Sequence, residues 1–175
     1  MEFIKEHIRD IPDFPEPGII FKDITPLLNN REAFRKTIDA FEEKLAGKKI
    51  DRIVAIESRG FIFGAPVAER IGAGLVLARK PGKLPAKTLK ESFKLEYGED
   101  ALEIHEDAIK PGEHIVIIDD VLATGGTMHA TANLVKRLQG KIEKILFLIE
   151  LSFLDGRKKM TLNGTPLPFE ALISY

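Results

Sequence analysis

Hydrophobic and polar positions along the chain follow two different periods. Between Asn30 and Gly47, Phe34, Ile38, Phe41 and Leu45 recur at three- and four-residue steps, which predicts an amphipathic helix with Asn30 as N-cap and Gly47 beyond its end. The runs RIVAIE (Arg52–Glu57), GLVLA (Gly74–Ala78), HIVIID (His114–Asp119) and KILFLIE (Lys144–Glu150) are instead short and continuously apolar, as strands buried on both faces are. A helical stretch near Phe61–Ile71 separates the first two runs. A helix bearing Met128, Thr131, Leu134, Val135 and Leu138 separates the last two. These are two βαβ units. The expected fold class is therefore α/β, a central parallel sheet flanked by helices, with function at the C-terminal ends of its strands.

Between the two units, residues 80–112 have a different character. KPGKLPAKTLKE is rich in Pro, Gly and Lys and makes a poor core element. Phe93, Leu95 and Tyr97, then Leu102 and Ile104, alternate about Gly98 and predict a two-stranded hairpin. An excursion this long inside a compact domain serves as a lid or binding loop, the other reading being an idle surface loop. Neither repeats nor a compositional break divide the sequence, so one domain over 1–175 is expected, with a short N-terminal extension.

Charge narrows the function. Lys and Arg number 26 against 27 Asp and Glu, for a formal charge of −1, which lacks the basic footprint of a nucleic-acid binder. Any polyanion handled is expected to be small and held locally. With no cysteine there is no disulfide framework and no thiolate metal site, a composition that fits a reducing, cytoplasmic location. MEFIKEHIRDIPDF contains no apolar stretch of signal length, and no run is long enough to span a bilayer, so neither secretion nor membrane insertion is expected. His7, His105, His114 and His129 have no close metal-ligand spacing.

The strongest chemical signal is VIIDDVLATGGT, Val116–Thr127. A buried strand ends in two carboxylates, Asp119 and Asp120, and leads through small residues into a helix. Glycine lets backbone approach a ligand closely, and free amides at a helix N-terminus attract an anion, so Ala123–Thr127 is suited to cradle a phosphate. Thr124 and Thr127 add hydroxyl donors, while paired carboxylates can accept hydrogen bonds from a vicinal diol. Together these point to a ribose phosphate. No lysine follows Gly125-Gly126 as a P-loop requires, and no G-x-G-x-x-G follows a strand.

Val116–Thr127 resembles the signature of the type I phosphoribosyltransferases that binds 5-phosphoribosyl-1-pyrophosphate (PRPP), in the form of the adenine-specific branch. DFPEPGIIFKDITPLL (Asp13–Leu28) is similar to that branch's N-terminal hood, ESRGFIFG (Glu57–Gly64) to its pyrophosphate loop, and LEYG (Leu95–Gly98) to the tip of its catalytic lid. The resemblance implies the type I fold with a small hood at 1–30 and a flexible hairpin lid at 80–112, and transfer of the phosphoribosyl group to N9 of adenine. It implies that Asp119 and Asp120 hold the ribose hydroxyls and that Ala123, Thr124, Gly125, Gly126 and Thr127 bind the 5′-phosphate. Ser58 and Arg59 would bind pyrophosphate, with a cis peptide before Arg59, and Arg79, Lys80 and Lys83 would add positive charge. Main-chain groups at Ile20 would read the base, Phe21 and Val121 would sandwich it, and Lys22, where many members carry arginine, would lie near its edge. Glu96 is implied as the catalytic residue, Mg2+ as a cofactor carried mainly by PRPP, and a homodimer in which Arg79 reaches the neighbouring active site.

Several of these residues also have a plainer reading: Asp119 as a turn cap with Gly125 and Gly126 only tightening the turn, Phe21 as core, Glu96 as an exposed hairpin residue, the basic cluster as a solvated face. Two rival functions remain: transfer to a 6-oxopurine, whose donor and acceptor pattern is reversed, and a non-catalytic PRPP sensor of the same fold.

Overall fold

The computed structural model describes residues 1–94 and 98–175, and the chain divides into two compact units, Met1–Lys44 and Leu45–Tyr175. The first contains α1 (Glu2–Lys5), β1 (Arg9–Pro12), β2 (Ile20–Asp23), α2 (Thr25–Asn29) and α3 (Arg31–Glu43). β1 and β2 pair antiparallel, with Arg9 opposite Asp23. Asp23 accepts the Thr25 amide at 2.9 Å and pairs with Arg9 at 2.6 Å, so it joins the hairpin to the start of α2. Those same two partners hold its carboxyl below the usual carboxylate range. Asn30 caps α3 as expected, accepting the amides of Glu32 and Ala33, each at 3.0 Å. The helix stops at Glu43, earlier than its apolar spacing suggests, and a turn carries the chain to Gly47 at a φ of 74°. Its buried stripe is Ala33, Thr37, Ile38, Ala40 and Phe41.

The second unit runs β3 (Arg52–Ile56), α4 (Arg59–Ile71), β4 (Gly74–Ala78), β5 (Thr88–Lys94), β6 (Glu99–His105), β7 (His114–Leu122), α5 (Gly126–Arg137), β8 (Lys141–Glu150), β9 (Thr161–Leu162), β10 (Thr165–Pro166) and β11 (Phe169–Ser174). Its five-stranded sheet has the order β11-β8-β7-β3-β4, and every neighbouring pair is parallel. Alternate strand residues explain why these runs read as continuously apolar. Val54, Ile56, Ile115, Ile117, Ile145 and Phe147 join a core with α5 and the β5–β6 hairpin. Ile53 and Ala55, between them, face α4, where Gly64 lies so close that a methyl would stand 2.6 Å from the Ala55 Cβ. Both faces are covered, so no polar alternation survives.

Several features of the second unit differ from the sequence expectation. β7 continues past Asp119 and Asp120 to Leu122, because the long β8 still offers partners, pairing Val121 with Ile149 and Leu122 with Glu150. β5 begins at Thr88, inside the segment read as unsuited to the core. β6 is deeply packed, with Leu102 and Ile104 buried, since Arg79 and Glu103 exchange backbone hydrogen bonds at 2.9 and 2.7 Å and tie the hairpin to the end of β4. β11 went unread in the sequence. It reaches the sheet edge after two short 3-10 turns, Ser152–Leu154 and Gly156–Lys159, and a small β9–β10 pair. Among the described residues no helix is long and apolar enough to cross a membrane.

Candidate active site

The C-terminal ends of β3, β4 and β7, neighbours in the sheet, bring most of the expected PRPP residues together. After β7, Ala123 and Thr124 lead to Gly125, which takes a φ of 79° at the N-cap of α5, and Gly126 and Thr127 form the first turn. Gly125 has no side chain with which to cap this helix, so its leading amides are directed at the loop. Beside it, a cleft of about 350 Å³ is lined by Glu91, Phe93, Gly126, His129, Asn133 and Lys159.

Asp119 and Asp120 sit near the end of β7. Asp119 Oδ1 accepts the Asp120 amide at 2.9 Å. Asp120 is only 5% exposed, and its Oδ2 pairs with Nε of Arg59 at 2.8 Å, with no well-aligned hydrogen bond among the described residues. Burial first, and the neighbouring Asp120 charge second, push the Asp119 carboxyl well above the ordinary carboxylate range. Burial also raises Asp120, against the opposing pull of Arg59.

Ser58 and Arg59 occupy the turn from β3 into α4, Arg59 being the first helical residue. The cis peptide joins Glu57 to Ser58, one bond earlier than expected. Two residues that the sequence placed in this turn without a role of their own, Glu57 and Gly60, make specific contacts here. Glu57 accepts the Lys80 amide at 2.8 Å and Nε of Arg79 at 3.2 Å, so it links this turn to the basic cluster. Although burial is the largest influence and raises its pKa, those two donors outweigh it and leave the carboxyl below its usual value. Gly60 packs against β7, where a Cβ would stand 2.8 Å from the Ile118 carbonyl oxygen and 3.1 Å from Asp119 Oδ1. The signal for Gly60 was its place in ESRGFIFG, whereas for Glu57 it was only a carboxylate closing an apolar strand.

Arg79 also donates from Nη1 to the Lys83 carbonyl at 3.3 Å, and its guanidinium lies 5.9 Å from the Phe61 ring centre. Lys80 pairs through its ammonium with Asp100 on β6, which attaches the basic cluster to the hairpin. Val121 is half-buried on β7. Glu96, with Leu95 and Tyr97, lies outside the described residues.

Within the first unit, Ile20, Phe21 and Lys22 are consecutive on β2. Ile20 is exposed, and Phe21 meets Phe14 edge to face with ring centres 5.2 Å apart. Lys22 pairs with Asp10 at 2.7 Å across the hairpin, a partner the sequence did not suggest.

A model of the phosphoribosyl transferase domain matches residues 23–159. An adenine phosphoribosyltransferase of Carboxydothermus hydrogenoformans is 58% identical over 158 residues, covering 90% of this chain and 93% of that protein. The chain belongs to the adenine phosphoribosyltransferases. The crystal structure of the adenine phosphoribosyltransferase of Thermoanaerobacter pseudethanolicus superposes with a TM-score of 0.94 at 54% identity, over 99% of both chains. That of Saccharomyces cerevisiae, complexed with adenine and an imino-altritol bisphosphate, gives 0.91 at 42% identity over 98% of this chain and 97% of that one. The fold is thus the type I phosphoribosyltransferase fold. As an adenine phosphoribosyltransferase, the chain is a purine-salvage enzyme that transfers the 5-phosphoribosyl group of PRPP to adenine, giving AMP and pyrophosphate. This outcome favours the adenine reading over the 6-oxopurine and sensor alternatives.

Proposed function

We propose that the transfer takes place at the end of β7, and that each expected residue there has one task. Asp119 and Asp120 accept hydrogen bonds from the ribose 2′- and 3′-hydroxyls, and the observation that carries this assignment is the carboxylate pair near the end of β7, directly ahead of the glycine turn that opens α5. Ala123, Thr124, Gly125, Gly126 and Thr127 hold the 5′-phosphate with amides and hydroxyls. Ser58 and Arg59 hold the diphosphate, and Arg79, Lys80 and Lys83 supply the surrounding positive charge. Ile20 offers one carbonyl and one amide to the 6-amino group and N1 of adenine. Phe21 and Val121 cover its faces, where an aromatic contact contributes roughly 1–3 kcal/mol. Lys22 stands near the base edge as a point charge rather than a fork. In this reading 1–175 acts as one phosphoribosyltransferase domain, with 1–30 as hood and 80–112 as lid.

As adenine N9 attacks C1 and pyrophosphate leaves, the base must release a proton. Glu96 is proposed to accept it from the imidazole edge, a step typically worth about 10²–10⁴-fold in rate. Closure of the hairpin would also keep water from PRPP. Mg2+ would be carried mainly by PRPP, since a hard cation prefers phosphate and hydroxyl oxygens to an all-protein cage, with Asp119 and Asp120 acting only through the hydroxyls they accept from. It would neutralise charge on the departing pyrophosphate.

A cytoplasmic homodimer completes the reading; the dimer is supported by the exposed Ile62 on α4 and by the exposed Leu75 on the edge strand β4, four residues before Arg79. The decisive experiment is a panel of free purines with PRPP and Mg2+, read as pyrophosphate release, with light scattering for the assembly. Adenine should exceed hypoxanthine and guanine by about 10⁴-fold in kcat/KM, because a site built for one hydrogen-bond pattern leaves buried groups unpaired with the other. Comparable values for the three bases would overturn the base-site assignment.

A further inference from the structure

Behind the phosphate loop lies a turn that the transfer itself does not use. Glu150, the last residue of β8, is 2% exposed and stands in register with Leu122 of β7. Its carboxylate receives Nε and Nη2 of Arg157 at 2.8 and 2.6 Å, a forked pair. The Arg157 guanidinium also stacks 4.9 Å from the Phe169 ring centre on β11. The preceding residue, Gly156, is buried against the loop. A methyl there would collide with the carbonyl oxygen of Ala123 and stand 3.1 Å from Leu122 Cδ1. From the other side, a methyl on Gly125 would stand 2.8 Å from the Gly156 carbonyl oxygen and 3.2 Å from the Lys159 Cβ. Two glycines thus allow backbone to lie on backbone, and the forked pair between the buried Glu150 carboxylate and the exposed Arg157 guanidinium ties down the turn that supports the loop.

We infer that Gly156 and the Glu150–Arg157 pair are positioning residues for 5′-phosphate recognition, holding loop 123–127 from behind so that its amides converge on one anion. The inference rests on the reading of that loop as the phosphate seat. Amides preset in direction lose nothing to reorganisation when the anion arrives, and a displacement of about 1 Å can cost on the order of 10²-fold. Glu150 supplies the rigidity: a buried carboxylate holds its forked partner in place because the uncompensated charge is strongly disfavoured.

The test measures binding of ribose 5-phosphate and of pyrophosphate separately by calorimetry, with steady-state kinetics alongside. Gly156→Ala should weaken ribose 5-phosphate by about 10- to 100-fold while pyrophosphate stays within about twofold, and should raise KM for PRPP without changing KM for adenine. Arg157→Lys, which keeps the charge and loses the fork, should move the same ratio in the same direction by less. It also decides the matter if Gly156→Ala does not fold. Unchanged ribose 5-phosphate affinity, or an equal loss for both ligands, would overturn the positioning role. Thr127→Val separates the two readings. If it weakens ribose 5-phosphate and the Gly156 and Arg157 variants do not, only the positioning role fails; if it leaves that affinity intact, the phosphate seat itself is misassigned and this inference falls with it.

Discussion

Arg59 Nε stands 2.8 Å from Asp120 Oδ2, which links the first residue of α4 to the acid pair on β7. The guanidinium opposes the burial that raises the Asp120 carboxyl. Arg59→Gln should therefore raise that carboxyl further, weaken PRPP at neutral pH and shift the lower limb of its binding profile to higher pH. Titrating PRPP affinity against pH in both proteins checks this, and an unmoved limb would mean that Arg59 does not tune the pair.

Asp119 carries a raised carboxyl for two reasons, burial and then the Asp120 charge. The folded form holds this proton to higher pH than the unfolded chain, so its stabilising contribution is full below the ordinary carboxylate range. It declines as the pH rises through the raised folded pKa and is lost above it. Asp119→Asn removes the slope, and the ligand-free variant should be more stable at neutral pH by about 0.5–2 kcal/mol, the scale of single substitutions that relieve a functional site. PRPP affinity should fall at the same time. Denaturant unfolding from acid to neutral pH reads the first effect, and calorimetry with PRPP the second.

Glu96→Gln keeps the size of the side chain but cannot accept the N9 proton. A fall in kcat of about 10²–10⁴-fold with PRPP affinity retained is expected. Near-normal turnover would end the proton-transfer role.

Gly60→Ala would press a methyl onto the Ile118 carbonyl oxygen and Asp119 Oδ1, at 2.8 and 3.1 Å before any adjustment. Overpacking of this kind costs about 1–3 kcal/mol. Because the pressure falls on Asp119, PRPP binding should weaken along with the thermal transition, whereas Gly64→Ala, pressed against Ala55, should lower stability with a smaller effect on PRPP.

The hairpin base is held on α5 by Glu91, which accepts Asn133 Nδ2 at 3.2 Å and Arg137 Nη1 at 3.0 Å, while Arg137 also reaches the Lys90 carbonyl at 2.7 Å. Partly exposed pairs contribute little globally, so Arg137→Ala should reduce stability by only about 0–1 kcal/mol. Amide exchange along β5 and β6 should nevertheless accelerate, and unchanged exchange would show that the apolar face alone holds the hairpin.

The sequence by itself determined what depends on local period and local chemistry. Strands covered on both faces must be apolar throughout, so RIVAI, GLVLA, HIVIID and KILFLIE declared a parallel sheet. Asn30 could be read as a cap from its type and place, and the acid pair followed by a glycine turn announced a sugar phosphate. Tertiary structure alone decided the rest, because those features depend on what lies alongside. β7 extends to Leu122 because β8 runs beside it, and β5–β6 joins the core through the Arg79–Glu103 bridge to β4, its apolar face and the contacts of Lys90 and Glu91 with α5. The upward shift of the Asp119 carboxyl comes from burial and from the adjacent Asp120 charge, and its burial depends on packing that no local spacing encodes. Gly156 occupies an unremarked turn in the sequence, and its closeness to Ala123 exists only once the chain after β8 has folded back against the end of β7.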